Sequence, residues 1–253
     1  MSDDYELAAA LVRDAGRLAA RMLGAGVSVS RKSSISDVVS AADHAAEALV
    51  SERLAEQRPD DGIVGEEGAA RPGNRTWYVD PVDGTYNFLS GLPIWSSAVA
   101  LVDEDGPVLG AIYDAAAEEV WIGGRDRRTA RNGVPIAPLV DRPLSELSIA
   151  TYLHPTTLPD ETLRLPLLRA MQGAATVRML GSGSVELAAV AAGRLGVWLQ
   201  ANSLPWDWLP GSTIVRAAGG QATVIEHAGH RWHIAGAETA VADVVTALRR
   251  AAT

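Results

Sequence analysis

The chain contains no cysteine, and this absence excludes several kinds of site at once. None of its 253 residues can form a disulfide, ligate zinc through a thiolate or act as a cysteine nucleophile. The N-terminal residues are acidic and then rich in alanine. They lack the basic and apolar regions of a secretory signal peptide, so we expect no signal peptide here. The chain also shows no internal repeat and no low-complexity tract.

Long apolar runs and an excess of basic residues are missing too. No stretch of about 20 apolar residues is present, so we expect no membrane span. The chain carries 22 lysine and arginine residues against 31 aspartate and glutamate residues, for a net charge of −9. Because general nucleic-acid binding needs basic surface, we do not expect nucleic acid as a partner. A cytoplasmic location is the expectation that follows.

What is present is sufficient for a substantial core. With 253 residues, of which 47% are hydrophobic, the chain can form one large or two modest domains. We expect an N-terminal α+β half over residues 1–138 and a C-terminal α/β half over residues 139–253, with the boundary near prolines 135–143. Hydrophobic periodicity predicts helices near the N-terminus and over residues 43–55, 184–192, 207–218 and 239–252. Apolar segments separated by turn residues predict an antiparallel meander between residues 97 and 122, and further strands over residues 148–152, 196–199 and 222–225.

The most informative feature is a pair of aspartates, Asp80 and Asp83, on either side of a proline. The apolar residues 77–79 predict a buried strand that ends at Asp80, because Pro81 has no N–H and breaks the sheet ladder. Gly84 permits a sharp turn into a helix, whose free N–H groups can hold an anion. Carboxylates beside a bound phosphate repel it unless cations lie between them. The pattern therefore predicts Mg²⁺ at this turn.

Three more carboxylates are candidates for the same site. Glu66 follows a short apolar pair, Asp207 begins a predicted helix, and Asp43 begins another. Two carboxylates about 4 Å apart repel by roughly 4 kcal/mol at an effective dielectric constant near 20. Such groups do not cluster in a fold without bound cations or basic partners. Mg²⁺ prefers oxygen ligands and keeps several waters, so a few carboxylates per ion are enough.

These acidic blocks resemble the inositol monophosphatase family of Mg²⁺-dependent, Li⁺-sensitive phosphatases. Residues 80–88 are similar to the family's first signature, residues 206–220 to its second, and residues 65–67 to its upstream acidic block. The matches occur in the family's order. The resemblance implies a layered αβαβα sandwich of the inositol monophosphatase and fructose-1,6-bisphosphatase type. It also implies a homodimer and a phosphoric monoester hydrolase that acts on a small phosphorylated metabolite.

The resemblance implies roles for individual residues as well. Two to three Mg²⁺ ions are expected per site, and their ligands are Glu66, Asp80, the backbone carbonyl of Val82, Asp83 and Asp207. The residues expected to orient or activate the attacking water are Glu66, Thr85 and Asp43. Substrate contacts are expected from Gly84, Thr85, Gly183, Gln200 and Asp207. Lys32 is expected to approach the metal site from an N-terminal loop.

One departure from the family pattern bears on the substrate. Gln200 stands where inositol phosphatases usually have a glutamate that receives substrate hydroxyls. A neutral amide lacks the charge that strengthens such hydrogen bonds. Besides inositol 1-phosphate, the substrates histidinol phosphate, fructose 1,6-bisphosphate and 3′-phosphoadenosine 5′-phosphate therefore stay open. A non-catalytic homologue that binds metal or ligand is the alternative from a different class.

Three other patterns favour ordinary structural roles. His230 and His233 lack an acidic partner at metal-ligand spacing in the sequence, so we expect them at the surface. Residues 181–184 do not have the order of a serine hydrolase elbow, and they predict a loop that closes onto a helix N-terminus near the substrate. Trp95, Trp198, Trp206 and Trp208 are expected in the core.

Overall fold

Two large β-sheets and the helices around them account for most of the chain. The computed structural model describes residues 3–25, 29–31 and 38–250. The α-helices of these residues are α1 (Asp4–Ala25), α2 (Ala41–Gln57), α3 (Thr85–Leu89), α4 (Glu161–Gln172), α5 (Gly183–Ala191), α6 (Pro205–Ala217) and α7 (Glu238–Arg249). The strands are β1 (Val29–Arg31), β2 (Val38–Ser40), β3 (Gly62–Gly65), β4 (Ala70–Arg71), β5 (Thr76–Asp83), β6 (Ser96–Asp103), β7 (Gly106–Asp114), β8 (Glu119–Gly124), β9 (Arg127–Arg131), β10 (Val134–Pro135), β11 (Ser148–Thr151), β12 (Thr176–Arg178), β13 (Val197–Ala201), β14 (Gln221–His227) and β15 (His230–Gly236).

The first large sheet has eight strands in the order β10-β9-β8-β7-β6-β5-β3-β4. Strands β5 to β9 pair in sequence order, each antiparallel to the next, and confirm the predicted meander, whereas β5 runs parallel to β3 on its other side. Helices α1 and α2 cover one face, where Leu11 and Val50 are buried in one apolar cluster with Trp77 and Leu101. Helix α1 confirms the helix predicted near the N-terminus. The carboxylate of Asp3 caps it by accepting the backbone N–H of Glu6 at 2.8 Å.

The second large sheet has five strands in the order β12-β11-β13-β15-β14, and β1 pairs with β2 in a separate ribbon. Helices α5 and α6 lie between the two large sheets. Leu187 and Ile214 from these helices are buried in one cluster with Ile112 of the first sheet and Trp198 of the second. Helices α4 and α7 cover the outer face of the second sheet. The order of layers is helix, sheet, helix, sheet, helix, which confirms the predicted αβαβα sandwich.

The strand that carries the aspartate pair continues further than predicted. Strand β5 runs to Asp83 instead of ending at Asp80. Asp80 pairs with Ala98 of β6 and Asp83 pairs with Ser96, so β5 has one residue more than β6 between these two pairs. This bulge includes Pro81, which cannot donate a hydrogen bond to the sheet ladder. Gly84 then adopts a left-handed φ of +92°, as the sharp turn requires. The helix after it, α3, has only five residues.

Sequence periodicity missed three elements of the second half, namely α4, the short strand β12 and β15. Helix α4 contains Pro166, which interrupts a helical pattern, although Asp160 caps the helix by accepting the backbone N–H of Thr162 at 2.9 Å. Strand β15 holds His230 and His233 in a register that pairs it with β13 and β14. The expected surface position of His233 is wrong, because its side chain is only 3% exposed.

The two large sheets divide the chain at a linking segment. The first sheet uses residues 62–135 and the second uses residues 148–236. Helix α6 belongs to the second half in sequence, yet it also packs against the first sheet. The division at residues 138 and 139 into two domains therefore stays a prediction. Among the described residues, no helix combines the length and the apolar character needed to cross a membrane.

Candidate metal centre

Three carboxylates from distant parts of the chain meet between the two halves. Each of Asp80, Asp83 and Asp207 offers an oxygen that lies within 4.8 Å of the others. The first two side chains come from the end of β5 and are 1% and 8% exposed. Asp207 comes from the first turn of α6, where it accepts the backbone N–H of Leu204 at 3.3 Å. The fold thus brings two buried carboxylates and one half-buried carboxylate to one point.

The pKa values of these carboxyls show what that concentration costs. Burial raises the pKa of Asp80 well above its usual range, and the charges of Glu66, Asp83 and Asp207 raise it further. Burial and the charge of Asp83 raise the pKa of Asp207 to about 7. Each of these shifts disfavours the ionised form. A cation between the carboxylates would remove the penalty.

The donor set fits a hard divalent cation. The cluster offers oxygen ligands, which Mg²⁺ prefers. Among the described residues, no arginine or lysine lies within ion-pair distance of Asp80, Asp83 or Asp207. The protein itself therefore does not neutralise the cluster in the part of the chain that is described. Lys32, expected near the metal site, lies outside the described residues.

Helix α5 holds Asp83 in place. The Ser182 hydroxyl donates to Asp83 Oδ2 at 2.9 Å, and the backbone N–H of Ser184 donates to the same oxygen. The backbone N–H of Gly183 donates to Asp83 Oδ1 at 3.3 Å. These bonds oppose the effect of burial, although the pKa of Asp83 is still raised. The loop over residues 181–184 closes onto a helix N-terminus as predicted, and one of its partners is this carboxylate.

The residues expected to handle the attacking water also come together. The Thr85 hydroxyl lies 3.2 Å from Asp43 Oδ1 and 3.0 Å from the backbone oxygen of Val82. Asp43 is buried in the first turn of α2, far from Thr85 in sequence. A hydroxyl has one proton, so Thr85 donates to one of these oxygens at a time. When it donates to Asp43, its own lone pairs are free to accept from a further group.

The remaining predicted residues line one cavity of about 310 Å³ beside the cluster. Glu66, Gly84, Thr85, Gly183 and Gln200 all contribute to its wall, together with Asp83 and Asp207. Glu66 acts electrostatically on Asp80 and is half-buried. Gln200 enters from β13, in the second sheet. The structure therefore brings every predicted substrate contact to the same place.

Sequence reasoning missed the fourth acidic residue that lines this cavity, Glu186. The carboxyl of Glu186 is 1% exposed and accepts the backbone N–H of Leu180 at 2.7 Å and the indole N–H of Trp198 at 3.0 Å. Burial raises the pKa of Glu186 to about 8. Its position in the first turn of a predicted helix was visible in the sequence. Its inward direction depends on packing and was not.

His233 lies behind the cavity wall, in register with Gln200 on the neighbouring strand. Its ring packs edge-on against Trp208 with centres 5.1 Å apart, and Trp208 stacks on Trp198 at 5.8 Å. Burial lowers the pKa of His233 to about 4, so the imidazole is neutral near pH 7. Trp198 and Trp208 are buried as predicted, and so is Trp95, whereas Trp206 is only half-buried.

Comparison with known proteins places this site in a family. The family model described as "Inositol monophosphatase family" matches residues 1–250. The chain belongs to the inositol monophosphatase family. It is 35% identical over 198 residues to an inositol-1-monophosphatase of Rhizobium meliloti, covering 76% of this chain and 74% of that protein. It is 30% identical to the fructose-1,6-bisphosphatase/inositol-1-monophosphatase of Thermotoga maritima, covering 87% and 84%.

A solved structure from the same group shares the architecture. The extragenic suppressor protein suhB of Bartonella henselae superimposes with a TM-score of 0.87 at 30% identity, over 98% of each chain. The layered sandwich is thus the fold of this family member. The names of these relatives differ, so family membership supports a phosphatase without naming its substrate.

Proposed function

We propose that this family member is a Mg²⁺-dependent phosphomonoesterase that hydrolyses a small phosphorylated metabolite. The observation that carries the proposal is the group formed by the buried Asp80 and Asp83 and the half-buried Asp207, whose oxygens lie within 4.8 Å of one another. Such a group is costly without a cation, since each carboxyl has a raised pKa. Asp83 and Asp207 line a cavity large enough for a small phosphate ester.

The proposed ligands are the carboxylates of Glu66, Asp80, Asp83 and Asp207 and the backbone oxygen of Val82, for two to three Mg²⁺ ions. When bound there, Mg²⁺ would lower the pKa of a water molecule and stabilise the leaving oxygen. The hydrogen bonds from residues 182–184 hold Asp83 in one orientation. A second layer of the protein therefore sets the geometry of the ligands.

Thr85 and Asp43 are the proposed pair that orients the attacking water. Their side chains lie 3.2 Å apart. When the Thr85 hydroxyl donates a hydrogen bond to Asp43, the Thr85 oxygen can accept a hydrogen bond from the water and so direct a lone pair of the water toward phosphorus. Glu66 lines the same cavity and is proposed to assist. The backbone N–H groups of Gly84 and Thr85 are the proposed phosphate donors, at the turn where Gly84 has a positive φ.

The proposed substrate is inositol 1-phosphate or a related polyol phosphate. The Rhizobium relative is named for this activity, and the Thermotoga relative is named also for fructose 1,6-bisphosphate, which makes that ester the first alternative. Histidinol phosphate and 3′-phosphoadenosine 5′-phosphate use the same chemistry and remain candidates. Gln200 lines the cavity, so its amide is in a position to contact the non-phosphate part of the substrate.

Phosphate release from these four esters tests the proposal. Each should be assayed with Mg²⁺, with chelator, and with Li⁺ added to Mg²⁺. We expect Mg²⁺-dependent turnover of one ester and inhibition by Li⁺. Thr85→Ser, which keeps the hydroxyl, is the matched control for Thr85→Val. Equal turnover with Mg²⁺ and with chelator would refute the metal-dependent mechanism.

The alternative from a different class is a non-catalytic homologue that binds metal or ligand. It predicts Mg²⁺ binding by calorimetry in folded protein, with no phosphate release from any ester. A homodimer, implied by the family resemblance, and a cytoplasmic location, expected from the sequence, also belong to our proposal. Sedimentation equilibrium would test the first, since a single species with the 26.6 kDa mass of one chain would contradict it.

A further inference from the structure

A second and larger cavity, of about 860 Å³, opens where the two halves of the chain join. Its walls come from β8 and β9, from residues 134–142, and from the turn that follows α5. In the described part of the chain, no residue lines both this cavity and the acidic one. The cavity is therefore a separate site, and its volume is in the range of small-molecule pockets.

Positive charge is concentrated in this cavity. Arg131, Arg142 and Arg194 line it, against the single carboxylate of Glu119 among its described lining residues. Three positive groups against one negative group leave an excess of two positive charges, on a chain whose net charge is −9. A guanidinium presents a planar fork of N–H donors that matches carboxylate and phosphate oxygens. The lining thus has the chemistry of an oxyanion site.

Two of the three guanidinium groups are held in place beforehand. Arg131 and Arg194 each lie 5.5 Å from the centre of the Trp121 ring. Arg131 pairs with Glu119 at 3.0 Å, and Arg194 lies 3.6 Å from the other oxygen of that carboxylate. That second oxygen is buried and accepts no hydrogen bond among the described residues. The single carboxylate of Glu119 can occupy only some of the N–H donors of Arg131 and Arg194. The remaining N–H groups can donate to another acceptor.

The third guanidinium and the apolar wall complete the cavity. Arg142 is exposed and forms no ion pair with another described residue. Ile136 and Leu195 line the same space and pack against the central apolar cluster of the fold. An occupant of this cavity would therefore meet both guanidinium donors and hydrocarbon surface.

We propose that this cavity binds a small organic anion. Its carboxylate or phosphate group contacts Arg131, Arg142 and Arg194, and its apolar body packs against Ile136 and Leu195. Charge complementarity and the preformed position of two guanidinium groups carry the proposal, since binding to held side chains costs less conformational entropy. The site is independent of the acidic cluster and of the hydrolysis proposed there.

Fluorescence titration with 8-anilinonaphthalene-1-sulfonate, an apolar oxyanion, tests the site directly. We expect saturable binding of one dye molecule per chain. The double variant Arg131→Met and Arg194→Met should bind it at least tenfold more weakly, and Arg142→Met several-fold more weakly. Arg128→Met removes an exposed arginine that lines two other cavities, and it should leave the affinity unchanged.

Competition separates recognition of charge from simple apolar contact. Hexanoate should displace the dye, and hexanamide, its neutral analogue of similar size, should not. Equal displacement by both, equal affinity of Arg142→Met and the original protein, or no saturable binding below millimolar dye would each overturn the proposal. Circular dichroism should verify the fold of each variant. If the double variant does not fold, Arg142→Met decides, because it breaks no ion pair among the described residues.

Discussion

Asp207→Asn should make the metal-free protein more stable while weakening its response to Mg²⁺. The pKa of Asp207 is about 7 in the fold, against an ordinary value of 3.8, because the side chain is buried and lies near Asp83. A raised carboxyl pKa means that the folded state holds a proton that the unfolded state has lost. The stability associated with this group is therefore complete below pH 3.8 and is lost as the pH rises toward 7.

The magnitude follows from the two pKa values. Each pKa unit corresponds to about 1.4 kcal/mol, so the penalty at pH 7 is on the order of 2–4 kcal/mol. An asparagine has no charge to bury and can still accept the N–H of Leu204 through its amide oxygen. In chelator at pH 7, the free energy of unfolding of the variant should exceed that of the original protein by a few kcal/mol.

Urea unfolding with chelator and with Mg²⁺ measures both effects. Mg²⁺ at about 100 times its dissociation constant should stabilise the original protein by about 2.7 kcal/mol, and should stabilise the variant less. Asp60→Asn removes the same charge from an exposed position and should change neither quantity. If Asp207→Asn destabilises the metal-free protein and keeps the full Mg²⁺ effect, Asp207 does not belong to a metal site.

Three further substitutions test other parts of the site. Burial raises the pKa of Glu186 from 4.5 to about 8, so the free energy of unfolding should fall between these pH values, and Glu186→Gln should flatten that fall. Urea unfolding at pH 5 and pH 8 checks this, and an equal fall in the variant and the original protein would contradict it. Thr85→Val should lower kcat by about 100-fold or more, because it loses the hydroxyl that donates to Asp43, whereas Thr85→Ser should retain most of the activity. Equal values of kcat for Thr85→Val and the original protein would remove Thr85 from the mechanism. Gln200→Glu should raise kcat/KM for inositol 1-phosphate relative to kcat/KM for fructose 1,6-bisphosphate. If the ratio of these two values does not change, this side chain does not contact the hydroxyls of the polyol.

Local sequence signals predicted the elements that carry the site. The meander, the glycine turn after Asp83 and the helices that begin near Asp43 and Asp207 depend on periodicity and backbone preference within a few residues. The predicted end of strand β5, at Asp80, was three residues too early. The strand continues to Asp83 because an irregularity in its pairing with β6 accommodates Pro81. Helix α4 was missed because Pro166 interrupts its pattern.

Other parts of the site depend on contacts across the chain. Asp83 accepts donors about 100 residues away, and Thr85 pairs with Asp43 across 42 residues. Residue spacing does not encode such partners. Glu186 and His233 were not predicted as buried because the direction of a side chain depends on the sheet or helix against which it packs.

The sequence by itself determined which acidic residues are candidates for the site and which turn follows Asp83. Its acidic blocks also determined the resemblance of the chain to the inositol monophosphatase family. Only the tertiary structure decided that Asp80, Asp83 and Asp207 lie within 4.8 Å of one another with raised pKa values, and that three arginines share a cavity with Trp121. The physical reason is that turns and helix starts follow from neighbouring residues. Burial and charge–charge distance arise only when the two sheets pack around α5 and α6.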